Sequence, residues 1–239
     1  MTGAIVQARM GSSRLPGKVM LPGAGKPLLG HLLDRLQACR QLDVVIVATS
    51  INQRDDVIAD YCHSDGIPAF RGSEQDVLDR YYRAAKRFNL STIVRVTSDC
   101  PLIDPVLIDE QLRLFRPQFQ NIDLVTNRHP LTFADGLDFD IMPIASLERV
   151  WRTATEAHQR EHVVPYFWES GMRVNNFEDP QKHFLQHRWT LDYPEDYELI
   201  ASVLKGLSHK RPLFTTQDIL DYVTLHPSLP LLNARFIER

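Results

Sequence analysis

The chain has 239 residues with 27 Lys and Arg against 30 Asp and Glu, a formal net charge of −3; this lacks the basic excess of a nucleic-acid surface, so nucleic acid is not an expected partner. Hydrophobic residues at 44% and charged residues at 24% exclude extended disorder and describe an ordinary globular protein. No apolar run approaches the roughly 20 residues that span a bilayer, and no signal-peptide pattern opens the chain, so a membrane partner is not expected and the cytoplasm is the expected compartment.

In chain order, Ala4 to Val6 reads as a short strand that empties into the loop "QARMGSSRLPGK". There Gly11, Ser12, Ser13 and Gly17 are crowded with Arg9, Arg14 and Lys18. Glycines admit a ligand to the backbone, hydroxyls add donors, and fixed cations neutralise an anion, so a polyphosphate accounts for all three. Loop amides and the N-terminus of a following helix would hold it. The spacing is neither that of a Walker A loop nor the GxGxxG dinucleotide fingerprint, and a structural Gly/Ser turn with solvated cations is the alternative.

Leu28, Leu29, Leu32, Leu33 and Leu36 recur at helical spacing, and "VVIVAT" (44–49) is the β-branched run of a strand buried on both faces. Val57, Ile58, Tyr61 and Cys62 mark a short helix closed by Gly66, followed by a third strand at "IPAF" (67–70). Ser73 with Asp76 three positions on has the form of a capping box opening a helix whose inner face is Val77, Leu78, Tyr81, Ala85 and Phe88. "TIVRVT" (92–97) is a fourth strand, running into Ser98, Asp99, Cys100 and Pro101. From about Asn121 the rhythm loosens: "DLVTN", "GLDFDIM" and "RVNNF" read as shorter strands, and "RWTLD" (188–192), read as a strand, leads into a helix with Pro194 in its first turn. The pattern predicts an α/β fold with a mainly parallel central sheet flanked by helices, one domain over 1–239, elaborated in its second half. Cys39, Cys62 and Cys100 are dispersed, which suits core or near-surface thiols rather than a disulfide framework or metal site.

Ligands of open α/β sheets lie outside the carboxyl ends of the strands, so residues there take priority. Asp99 is placed to hold Mg²⁺ against phosphate oxygens, or alternatively to cap a turn. Asp192 is either a second magnesium ligand or the N-cap of the last long helix. In "QREHVVPYFWE", Arg160, Glu161 and His162 are candidates to meet a polar ligand, whereas Val163, Val164, Tyr166, Phe167 and Trp168 form an apolar cluster suited to core or to a subunit interface.

Six ordered segments, "VQARMGSSRLPGK", "RGSEQDVLDRYYRAA", "RVTSDCPLIDP", "GLDFDIM", "REHVVPY" and "RWTLDYPEDYELI", together resemble the cytidylyltransferase-like family associated with spore-coat polysaccharide synthesis. Its relatives make cytidine-monophosphate-activated sialic and deoxyoctulosonic acids. The resemblance covers residues 4 to about 204 and implies a nucleotidyltransferase fold of the glycosyltransferase-A type. It also implies consumption of CTP and an acidic sugar with release of pyrophosphate, magnesium as cofactor, and a homodimer formed through a sugar-binding and dimerisation elaboration at 121–187. Carried over by position, Ala8, Arg9, Ser12, Ser13, Arg14 and Lys18 match the triphosphate and base loop, and Gly72, Ser73, Asp76 and Arg80 match the segment near cytosine and ribose. Asp99 and Asp192 match the metal aspartates, with Arg14 and Lys18 beside them in catalysis. Asp138, Asp140, Arg160 and His162 fall on the sugar side; relatives carry glutamate at the position of Asp140, which leaves that role open. A nucleotide-sugar glycosyltransferase shares the fold, and "DFD" at 138–140 imitates its metal motif; the basic opening loop favours a triphosphate.

Overall fold

The computed structural model describes residues 1–180, 182–209 and 213–237, apart from the side chain of Phe115. Its elements are β1 (Thr2–Gln7), a small ribbon of β2 (Pro22–Gly23) and β3 (Lys26–Pro27), α1 (Leu28–Gln37), β4 (Val44–Ser50), α2 (Asp56–Ser64), β5 (Ala69–Gly72), α3 (Val77–Arg87) and β6 (Thr92–Thr97). These are followed by α4 (Pro105–Phe115), β7 (Leu124–Thr126), β8 (Asp140–Pro143), α5 (Ile144–Thr153), α6 (Ala157–His162), α7 (Pro165–Glu169), β9 (Val174–Asn176), α8 (Pro194–Leu207) and α9 (Thr216–Leu225).

Among the described residues, seven strands form one sheet in the order β5-β4-β1-β6-β8-β7-β9. β1, β4, β5 and β6 pair in parallel, as do β7 and β9, while β8 runs antiparallel to both β6 and β7. The sheet is therefore mainly parallel, and 121–187 contributes three strands to it. Alternation along each strand separates the two faces. Val94 and Val96 pack with Leu29, Leu32 and Leu33 of α1 and Ile108 of α4, whereas Ile5, Ile46 and Ile93 pack with Val77, Tyr81 and Ala84 of α3 and Leu147 of α5. A third cluster, holding Phe133, Leu137, Trp189 and Leu191 against α8 and α9, fixes the segments beyond the strand ends.

Three expectations change. The third strand starts at Ala69 because Pro68 has no amide to give the ladder, although its carbonyl accepts from Val47 at 2.9 Å. "RWTLD" makes only a single bridge, Arg188 to Asp135: its amides are taken by loop carbonyls, Trp189 to Asp135 at 2.6 Å and Leu191 to Asp99 at 2.8 Å. Ser73 does not cap α3; Asp76 is the cap, accepting from Asp79, and Ser73 Oγ accepts from the Asp76 amide. Of the apolar cluster after His162, Val163, Val164 and Phe167 are core.

Candidate active site

The chain passes from β1 to β4 on one side and reaches β6 on the other, so the loops after β1 and β6 flank the point where strand order reverses. A cleft of about 520 Å³ opens there. The loop after β1 forms one wall, Thr97 to Asp99 the floor, and Arg128, Asp135, Asp138, Glu161, His162, Thr190 and Asp192 the remaining sides.

That loop is folded on itself. Gly17, at φ 70°, donates to the Met10 carbonyl at 3.1 Å, Ser12 donates to the same oxygen at 3.0 Å, and Ser12 Oγ accepts from the Leu15 amide at 3.3 Å. The amides of Gly11, Ser13 and Arg14 make no bond within the described residues, so they are available to an anion. The helix N-terminus expected next is absent: only a 3-10 turn, Lys18–Met20, follows, and α1 begins at Leu28. Ala8 is in the core, its amide donating to Ala48 at 3.2 Å, and its side chain does not reach the cleft.

Lys18 joins the two aspartates. Its Nζ donates to Asp99 Oδ2 at 3.3 Å, to Asp192 Oδ1 at 2.9 Å and to the Leu191 carbonyl at 2.6 Å. Arg14 adds a second cation on Asp192, at 2.8 Å, and lies 5.1 Å from the centre of the Tyr193 ring. Burial disfavours charge on Lys18 and on Asp99, yet their mutual attraction outweighs it: the ammonium is held above its ordinary pKa and the Asp99 carboxyl below its own. Two carboxylates that converge on one cation are a fit for a divalent ion, since magnesium takes one or two carboxylates and completes its shell with substrate oxygens and water. Among the described residues no cluster of three His, Cys, Asp or Glu forms a closed protein cage.

Asp192 can face Lys18 because it does not cap α8. Asp196 accepts from the amides of both Asp192 and Tyr193 at 3.0 Å, and its buried carboxylate also receives Arg188 Nε at 3.0 Å. Arg188 in turn reaches Asp192 at 3.2 Å and pairs with Asp135. No local sequence pattern marks this support, nor Arg128 and Asp135 as cleft residues: they reach the cleft through contacts with segments distant along the chain. Arg95 had a signal, being the one charge inside an apolar strand.

On the sugar side the predicted residues divide. Asp138 lines the cleft with Oδ1 unbonded; burial pushes its carboxyl up to about 7, against the pull of Arg128 and with help from Asp135 and Asp140. Asp135 is likewise raised by burial to about 6, with Arg188 opposing. Asp140 does not reach the cleft. It is fully buried and accepts from Arg95 at 2.7 Å, so Asp138 and Asp140 do not converge as a DxD metal motif would require. His162 lines the cleft, but Arg160 is bound elsewhere, pairing with Asp76 at 2.7 Å and donating to the carbonyls of Trp151 and Ala154. Gly72, Ser73, Asp76 and Arg80 lie outside the main cleft. Arg9 and Glu161, 3.6 Å apart, border both the cleft and an adjoining hollow that reaches Asp76, while Arg80 is buried and donates to the Ser73 carbonyl at 2.7 Å.

A doubly wound sheet with a basic loop and paired aspartates at its reversal point defines a nucleotidyltransferase of the nucleotide-diphospho-sugar transferase fold. A family model for cytidylyltransferases matches residues 3–217; the chain belongs to this family and is a CTP-dependent nucleotidyltransferase. It superposes on a cytidylyltransferase from Leptospira borgpetersenii with TM-score 0.90 and 34% identity, covering 96% of each chain. It is 32% identical over 233 residues to the spore coat polysaccharide biosynthesis protein SpsF of Bacillus subtilis, covering 93% of this chain and 94% of that one. With the 3-deoxy-manno-octulosonate cytidylyltransferase of Geobacter sulfurreducens it shares 36% identity over 111 residues, 46% of this chain and 43% of that enzyme.

Proposed function

We propose that the protein transfers CMP from CTP to an acidic sugar of the nonulosonic or octulosonic type, releasing pyrophosphate, for surface polysaccharide synthesis in the cytoplasm. The observation that carries this reading is the Lys18 bridge between Asp99 and Asp192, at 3.3 and 2.9 Å, facing a loop with unbonded amides. The name of the octulosonate relative favours the acidic sugar, and that of SpsF favours polysaccharide synthesis.

Arg9, Ser12, Ser13 and Arg14 hold the triphosphate with the loop amides, and Arg14 and Lys18 neutralise the departing pyrophosphate. Gly72, Ser73 and Asp76 border the nucleoside end. Asp99 and Asp192 would hold magnesium, which would supply charge neutralisation for the reacting triphosphate. The anomeric hydroxyl forms the new bond to the α-phosphorus as the bond to pyrophosphate breaks, and Asp138, which lines the cleft, takes the hydroxyl proton. His162 contacts the sugar, while Asp140 and Arg160 support Arg95 and Asp76. Two copies pair through 121–187 into a homodimer, which sedimentation measures.

Pyrophosphate release with magnesium, testing each of the four nucleoside triphosphates against eight- and nine-carbon sugar acids, is expected with CTP and one acid. Asp99→Asn lowers kcat by about 10²–10³ with an unchanged circular dichroism spectrum; full activity in that variant removes the metal assignment.

A further inference from the structure

A second pocket, of about 380 Å³, adjoins the cleft and shares Arg14, Arg128, Asp135, Asp138 and Asp192 with it. Its outer wall includes Tyr193 and Phe236, whose rings stack 3.9 Å apart at an interplanar angle of 4°. The family match ends at residue 217, so nothing in that match assigns a role to Phe236. We infer that this pocket binds the acceptor, with the Arg128 guanidinium receiving the carboxylate of a sugar acid and the Tyr193–Phe236 stack forming the wall against its carbon skeleton. This rests on the proposed transferase reading.

Partner counting around the cleft singles out Arg128. Arg14 is paired with Asp192, Lys18 with Asp99 and Asp192, Arg95 with Asp140, and Arg188 with Asp135, Asp192 and Asp196. Arg128 is exposed, and among the described residues its guanidinium makes no hydrogen bond or ion pair, while the negative field of Asp138 and Asp140 holds it charged. A planar fork of unused donors fits a carboxylate bidentately. Asp135 and Asp138 beside it offer oxygens to the hydroxyls of a sugar, and Asp138 Oδ1 has no partner of its own.

The wall is anchored where it matters. Asn233 is buried, and its Nδ2 donates to the Arg188 carbonyl at 2.9 Å and to Asp196 Oδ1 at 2.8 Å. The segment bearing Phe236 is thus tied to the network that orients Asp192. An acceptor seated between Arg128 and Phe236 lies directly beside that aspartate, on the side of the cleft away from the nucleoside hollow.

The test uses the full chain with CTP and magnesium, the sugar acid the wild type prefers among eight- and nine-carbon acids, and the methyl ester of that acid. Arg128→Ala is expected to raise KM for the acid at least tenfold, leave KM for CTP within twofold and Tm unchanged, and abolish discrimination between acid and ester; Arg128→Lys recovers part of it. Phe236→Ala raises KM for the acid about three- to tenfold with the same CTP value. An unchanged KM for the acid in Arg128→Ala, or an equal rise for CTP, overturns the assignment while CTP-dependent turnover leaves the transferase reading standing. Calorimetric titration of the acids into protein loaded with a non-hydrolysable CTP analogue covers the remaining case: no binding by any acid overturns both the pocket and the acidic-sugar reading.

Discussion

Asp138 holds its proton to about pH 7 because burial disfavours its charge more than Arg128 favours it. The sign of the resulting linkage follows from its raised value. A carboxyl with an ordinary unfolded pKa near ~4 binds more protons in the native state between pH 4 and 7, so its contribution to stability is full below about 4 and is lost as pH rises through about 7. Asp138→Asn removes that loss. Its Tm relative to the wild type is expected to be higher at pH 8 than at pH 5; a difference independent of pH would show that the carboxyl titrates at an ordinary value. At this scale the sequence was informative where charge sat against glycine and hydroxyl, at Arg9, Arg14, Lys18 and the strand-end Asp99. It was uninformative for Arg128, Asp135 and Arg188, whose roles come from segments 50 or more positions apart meeting in space: Arg188 is 53 positions from Asp135.

Elements position these residues through close backbone approach. Gly136 follows Asp135 at φ 107°, and a Cβ there would lie 2.4 Å from the Thr190 amide nitrogen and from the Trp189 carbonyl carbon. Both obstacles are backbone, which cannot rotate aside, and the conformation itself disfavours any side chain. Gly136→Ala is therefore expected to lower stability by at least about 2 kcal/mol in urea titration and to separate Asp135 from Arg188, lowering activity beyond the stability effect. Wild-type stability in this variant would mean that the two segments are held apart from one another by other contacts. Regular strands and helices were legible because their periodicity is local: β4, β6, α1 and α3 fall where the apolar spacing puts them. The segment 188–192 reads as a strand, yet its amides bond to loop carbonyls at Asp135 and Asp99, a choice that no local pattern encodes.

On the scale of the whole molecule, the cleft is built from both halves of the chain, with Asp99 after β6 and Asp192 before α8 joined through Lys18. The three apolar clusters meet on one sheet and its strand ends, so unfolding one exposes the others and a single cooperative transition is expected. A nucleotide that engages Arg14, Lys18 and both aspartates binds only where the halves are assembled. By mass action, CTP with magnesium at about 100 times its Kd stabilises the native state by about 2.7 kcal/mol, which for a domain of this size raises Tm by about 5–10 °C. Chelating magnesium leaves the triphosphate facing Asp99 and Asp192 with only Lys18 and Arg14 to offset their charge, so the shift with CTP and a chelator is expected to fall below half of that value. Equal shifts in scanning calorimetry with and without the metal would mean that CTP binds through the loop alone, and would separate the aspartate pair from nucleotide recognition.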